Sequence, residues 1–229
     1  TVRLVKISHN LNQRSSRSLS MGMILGKIAV ETPKYDVVHQ SAQYEIRQYG
    51  AAVAAEVTYE PSEFKGDKDG GFSKLARYIG AFGQPQNVKP EKIAMTAPVI
   101  TKEIGEKIAM TAPVITKDTE GNVPTGTVDG ERKLVTMQFL LPSKYQKVED
   151  APKPLDESVV IKEVEPRKLA VVKFSGVATE DVVRGKVATL RQWVEADGFK
   201  VIGAHELARF NPPFTLPPLR TNEVMLPVE

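Results

Sequence analysis

From Glu31 to the C-terminus the sequence passes twice through one order of patterns: strand-like runs, an amphipathic helical stretch, then strand-like runs again. That repetition constrains the fold more than any single motif does. Each half must bury one helix stripe and one set of strand faces in the same way. In the first half, residues 44–49 alternate polar and larger apolar side chains, as a half-buried strand does. Gly50 breaks the run, and residues 52–59 return as a second strand. The turn Asp67-Lys68-Asp69-Gly70-Gly71 precedes Phe72, Leu75, Ala76 and Ile79 at helical spacing, with Ser73, Lys74 and Arg77 opposite. Gly80 and Gly83 stand where that helix should stop. Residues 94–101 and 133–141 read as two more strands, and Pro142 ends the second. Acidic, proline-containing sequence over 149–156 reads as the crossing between halves.

The second half opens with strand-like residues 159–164 and 168–174, separated by Glu165-Pro166-Arg167. Thr179 is placed to cap a helix, with Glu180 and Asp181 in the first turn, where the helix dipole favours acids. Val183, Val187, Leu190 and Val194 form its apolar stripe, and Gly198 is suited to the position after its end. Residues 199–210 and 222–228 complete the pattern as strands. The expected fold is α+β: two similar halves, about 28–148 and 155–229, joined into a curved or barrel-like antiparallel sheet with two helices outside. Residues 1–27 read as a basic, flexible tail ahead of a domain at 28–229.

One segment is duplicated outright. Glu91-Lys92-Ile93-Ala94-Met95-Thr96-Ala97-Pro98-Val99-Ile100-Thr101-Lys102 recurs unchanged over residues 106–117. Two copies are too few for a solenoid, and only one can fill a given strand position. We therefore expect one copy in the sheet and the other in an extended loop running to Gly130. A tolerated loop insertion is the preferred reading. The alternative is a flap of Met, Ile and Val over a ligand.

The length, 229 residues, suits one sizeable domain. No apolar run approaches the roughly 20 residues a membrane span needs. There is no cysteine, which excludes disulfides and thiolate chemistry and fits a reducing compartment such as the cytoplasm. The formal charge of +3 is unevenly spread: Arg3, Lys6, Arg14, Arg17 and Lys27 are the only charges in residues 1–30. Setting those five aside leaves 26 of 31 basic residues against 28 acidic ones, no excess with which to hold nucleic acid. The acid-free, Ser- and Arg-containing tail is open to two readings. It resembles the remnant of an organelle transit peptide, which would imply a plastid form. The preferred reading is an extended frame ahead of a chain that starts at Met21.

The residues give no sign of an enzyme. The histidines are His9, His39 and His205, far apart and without a motif around them. No serine sits in a nucleophile elbow, no zinc-protease helix is present, and no phosphate-cradling loop precedes a helix. Structural zinc lacks ligands as well. What remains is a binding surface. Lys74 and Arg77 are three apart on one helix face, flanked by Phe72 and Tyr78. The loop 211–220 holds four prolines and presents Phe214, Leu216, Leu219 and Arg220 with little freedom left to lose. A flat apolar molecule with acidic groups at its edge would suit such parts. On these residues alone, an ordinary solvated helix face and a loop covering the core is the preferred reading.

Several stretches together shift that balance. Glu31-Thr32-Pro33 with Tyr44-Glu45-Ile46-Arg47, Gly71-Phe72-Ser73-Lys74-Leu75-Ala76-Arg77-Tyr78-Ile79, Met95-Thr96-Ala97-Pro98-Val99, and Asn211-Pro212-Pro213 leading to Arg220-Thr221-Asn222-Glu223-Val224 resemble the SOUL haem-binding family. The doubled segment is similar to plant cytosolic members. The resemblance covers residues 28–229. It implies a distorted eight-stranded antiparallel barrel flanked by two helices, and a monomer. It also implies a carrier or buffer that binds haem or another tetrapyrrole, such as protoporphyrin, in a shallow apolar groove beside the first helix. The candidate ligand-contacting set is Phe72, Lys74, Leu75, Arg77, Tyr78, Met95, Phe214 and Arg220; of these the resemblance carries over Phe72 as a groove position and Arg77, with Lys74 beside it, toward the propionates. Three positions depart from the family's pattern. Asp69 stands where an animal relative has Arg, Thr215-Leu216 stands near a propionate-binding Lys, and Gln48 stands where one member has an axial His. Binding by stacking and ion pairing, with no protein metal ligand, is the resulting expectation.

Overall fold

The computed structural model describes residues 26–64, 69–106 and 132–229. Among the described residues nine strands and two α-helices follow in order: β1 (Tyr35–Gln40), β2 (Glu45–Tyr49), β3 (Ala52–Tyr59), α1 (Gly71–Ile79), β4 (Val99–Glu106), β5 (Arg132–Leu140), β6 (Val159–Val164), β7 (Arg167–Phe174), α2 (Glu180–Ala196), β8 (Glu206–Arg209) and β9 (Asn222–Pro227). The strands form one curled sheet in the order β1-β2-β7-β9-β8-β4-β5-β3-β6. Every neighbouring pair is antiparallel.

That order makes the duplication visible. If β2 corresponds to β6, β3 to β7, β4 to β8 and β5 to β9, the series β2-β7-β9-β8 mirrors β6-β3-β5-β4. A pseudo-twofold axis then passes between β4 and β8, where Ile100 lies opposite Ala208 and Thr101 opposite Leu207. Each half of the sheet draws strands from both halves of the sequence. The eight expected strands are β2 to β9, and β1 is a ninth outside the symmetry. Its sequence shows no clean alternation because most of it is exposed, and a bulge between Val37 and His39 breaks its register with β2.

One face of the sheet carries both helices. Val53, Ala55, Val57 and Tyr59 of β3, with Val135, Met137 and Phe139 of β5, pack on Leu75, Ala76, Tyr78 and Ile79 of α1. Val183, Leu190 and Val194 of α2 pack on Ile46, Ala170, Val172, Val224 and Leu226. The alternate residues point into the curl, where Ala54, Ile100, Leu140, Leu169, Val171, Ala208 and Met225 from both halves form a third cluster. Buried charge is paired on that inner face: Arg47 with Glu223, Arg167 with Glu206, and Lys162 with Glu56.

The helix ends follow their sequence signals. Thr179 Oγ1 accepts the Val182 amide at 3.4 Å. Gly80 closes α1 at φ 80°, and the Ala81 amide reaches back to the Ala76 carbonyl at 2.8 Å. Two expected strands are shorter than their patterns. Residues 94–98 run as loop, so the first copy of the repeat enters the sheet only at Val99. In the second copy Glu106 ends β4, and residues 107–117 lie outside the described residues, as does the tail 1–25. Of the expected strand 199–210 only Glu206–Arg209 is regular, while Lys200 and Ile202 pair instead with Glu229 and Pro227 at the chain end.

Candidate functional site

The exposed side of α1 divides into two flanks. On the flank toward β6, the Lys74 ammonium donates to Ser158 Oγ at 3.0 Å. Asp156 lies beside it. Hydrogen bonds from Ser158 hold the Asp156 carboxyl below its ordinary value, and the charges of Lys74 and Arg77 pull the same way. Lys74 is therefore engaged with the crossing segment that leads into β6. Arg77 is exposed on the helix crest. Leu75 and Tyr78 are buried beneath it. The Tyr78 hydroxyl donates to the Pro152 carbonyl at 2.9 Å, and burial pushes that phenol well above its ordinary range. These two side chains present no surface to a ligand in this arrangement, and their place is in the core under the helix.

The opposite flank, toward β4, is apolar and partly open. Phe72, Met95 and Val99 lie half-buried along the edge of the first core cluster. The Phe72 ring meets Phe139 edge-on at 5.3 Å, and Phe82 lies 6.3 Å away. The proline loop after β8 is tied to the same region through residues 26–31. Asn211 Nδ2 donates to the Gly26 carbonyl at 3.2 Å, and Glu31 bridges to Thr96. Phe214 at the loop's tip is 61% exposed. Arg220 faces inward, donating through Nε to the Thr215 carbonyl at 2.8 Å and through Nη2 to the Pro213 carbonyl at 2.5 Å. It clamps the loop on itself. Of the eight sequence candidates, Phe72 and Met95 are brought together, and Arg77 and Phe214 are surface residues. Lys74 and Arg220 are engaged by the protein, and Leu75 and Tyr78 belong to the core.

Farther along β4 a cleft of about 490 Å³ lies between the start of α1 and the first turns of α2. Val99 and Thr101 lie two residues apart on one face of β4, the first beside the apolar flank and the second in the cleft. The cleft lies over the β4–β8 pair, on the pseudo-twofold axis. Ala178, Val183, Val187 and Leu207 make its apolar walls, and Thr101 and Thr179 add hydroxyls. Arg209 closes it at the α1 end, pairing with Asp69 at 2.5 Å and donating to Thr101 Oγ1 at 2.9 Å. Arg184, His205, Glu103 and Glu180 complete the lining. A cleft of this size falls within the range used for small-molecule recognition. Sequence reasoning missed it because its walls come from four separate segments, none with a spacing motif. Val183 and Val187 read there simply as core stripe. Among the described residues, no group of three His, Asp or Glu side chains converges as a metal site.

The chain is thus of the α+β class, a pseudo-symmetric sheet with a cleft between its two helices. Comparison with known proteins narrows the class. The chain belongs to the SOUL heme-binding protein family, whose sequence pattern matches residues 30–104 and 102–227. The two matched stretches meet at the duplicated segment, one holding each copy. The chain is 30% identical over 204 residues to heme-binding protein 2 of Homo sapiens and 28% identical to that of Mus musculus, covering 86% of each chain in both cases. An uncharacterized conserved protein from Listeria innocua has a similar fold, with a TM-score of 0.51 at 15% identity over 82% of this chain and 92% of its own.

Proposed function

We propose that this chain binds haem and related tetrapyrroles reversibly, as a monomeric carrier or buffer in the cytoplasm that does no covalent chemistry on them. The observation that carries the reading is the family match over residues 30–104 and 102–227, together with the half-buried Phe72 and Met95 on the β4 side of α1. A porphyrin face suits the Phe and Met edge, and the exposed Arg77 would meet a propionate. What supports the reading is that Phe72, Met95 and Val99 are apolar and half-buried and that Arg77 is exposed on the same helix as Phe72. Haem, when bound, would supply the iron and the flat ring, and the protein supplies the wall and the counter-charge.

Haemin and metal-free protoporphyrin titrations test this. Both should saturate, and Arg77→Ala should weaken each by about 1 kcal/mol, roughly fivefold in Kd. Unchanged affinity in that variant removes Arg77 from the site. A second reading, a protein-interaction module in which haem is incidental, is favoured by the exposed Phe214, Leu216 and Leu219 on the stiff loop. Under that reading a bound partner protein is displaced by haemin. Under the first it is not.

A further inference from the structure

We propose that Phe82, in the turn that follows α1, is the ring on which the tetrapyrrole stacks. The inference rests on the haem-binding reading and names within it the contact and the feature recognised, a flat conjugated ring. Among the described residues Phe82 is the most exposed large apolar side chain, at 65%. A single exposed apolar residue is ordinary and by itself marks no site. Two observations set Phe82 apart. The first is that its ring continues the core outward. Phe139 is buried, and Phe72 is half-buried against it, with ring centres 5.3 Å apart and planes inclined at 62°. Phe82 follows at 6.3 Å from Phe72, inclined at 60°. Three rings thus step from the core to solvent along the apolar flank where Met95 and Val99 are also half-buried.

The second observation is that the backbone under Phe82 is pinned. Gly80 and Gly83 enclose it at φ 80° and 130°, conformations that glycine takes without strain. The Ala81 amide donates to the Ala76 carbonyl at 2.8 Å, and the Gln86 amide to the Arg77 carbonyl at 2.9 Å. Beyond the turn, the buried Asn87 donates to the Tyr78 carbonyl at 3.1 Å and to the Glu91 carbonyl at 2.8 Å. An exposed ring on a backbone held at both ends has little freedom left to lose on binding. The inclined pair also suits one shape of ligand. A flat ring laid on the face of Phe82 meets Phe72 at an edge-on angle, and both arrangements are favourable for aromatic rings. From Gly80 to Val88 the chain carries no charged side chain, and Lys89 follows, so nothing in this turn repels the acidic edge of a porphyrin. Stacking of this kind needs no metal, and it distinguishes a planar macrocycle from an open-chain tetrapyrrole that cannot lie flat.

The test is a set of optical titrations of the full chain with haemin and metal-free protoporphyrin, joined to a proton NMR measurement. Phe82→Ala and Phe82→Leu should each weaken both ligands by about tenfold, because leucine keeps the apolar bulk without the ring face. Phe82→Tyr, which keeps the ring, should stay within about twofold of wild type. All three variants should unfold at the wild-type urea midpoint, since the side chain stands in solvent. In the protoporphyrin complex the Phe82 ring protons should move upfield, because protons above a porphyrin plane are shielded. Affinities unchanged in Phe82→Ala overturn the assignment and leave haem binding standing. Phe82→Leu binding as tightly as wild type, or Phe82 resonances that do not move, overturn the stacking contact in the same way. Failure of the wild type to bind either ligand removes the underlying reading itself.

Discussion

Arg47 and Glu223 come from two of the stretches by which the family is recognised, 176 residues apart in sequence, and they meet inside the curl of the sheet. Arg47 is 6% exposed and Glu223 4%. Arg47 Nη1 donates to both Glu223 oxygens at 3.1 and 3.0 Å, and its Nε to Glu45 at 2.8 Å. The guanidinium also stacks on Tyr35, 4.3 Å from the ring centre. Glu223→Leu leaves that buried charge with Glu45 and the Tyr49 hydroxyl as its polar partners. Breaking a buried pair costs about 3–5 kcal/mol, and the surviving Glu45 contact places this variant near the low end, about 3 kcal/mol. For a domain of this size that is a fall in Tm of about 6–12 °C. Burial pushes the Glu223 carboxyl upward while Arg47 pulls it back, so the pair offsets little beyond its own desolvation. Arg47→Met combined with Glu223→Leu should therefore return to within about 1 kcal/mol of wild type. Thermal and urea unfolding of the three variants measures this. A single variant within about 2 °C of wild type, or a double variant as unstable as the single, would refute the reasoning.

Two further outcomes follow from local geometry. Gly80→Ala should cost about 1–2 kcal/mol in urea unfolding, because the residue sits at φ 80° and a Cβ would come within 2.7 Å of Pro85 Cγ; an unchanged midpoint would mean that the turn after α1 adapts freely. The Glu91 carboxyl is held below its ordinary value of 4.5 by hydrogen bonds from Lys144 and then Tyr145. A depressed acid stabilises the fold above its unfolded value and loses that contribution as pH falls through its folded value. Stability should therefore decline as pH falls below about 4.5, and less steeply in Glu91→Gln. Equal slopes would assign the decline to other groups.

The scaffold was legible because its signals are local. Alternation marked residues 44–49 and 133–141, the Val183–Val194 stripe marked α2, and Thr179 and Gly80 marked helix ends. β1 escaped notice because an exposed edge strand needs no alternation. Residues 199–210 were overread as one strand because Lys200 and Ile202 pair with the chain's end, which no local pattern records. The motifs themselves turned out to hold the fold together. Ile46 packs under α2 and Tyr44 donates to Asp197 at 2.6 Å. Asn211 accepts the Thr221 amide at 2.7 Å. Residues at recognisable spacing thus identified the family, whereas the cleft was assembled by topology. Its walls meet only once β4 pairs with β8 across the pseudo-twofold axis.

The most direct measurement is an optical titration of the whole chain with haemin. An intensified, red-shifted Soret band that saturates at one ligand per chain is the expected result, reversed when a stronger haem acceptor is added. An absorbance that remains the sum of free haemin and free protein, at concentrations where the folded chain is monomeric, would contradict it.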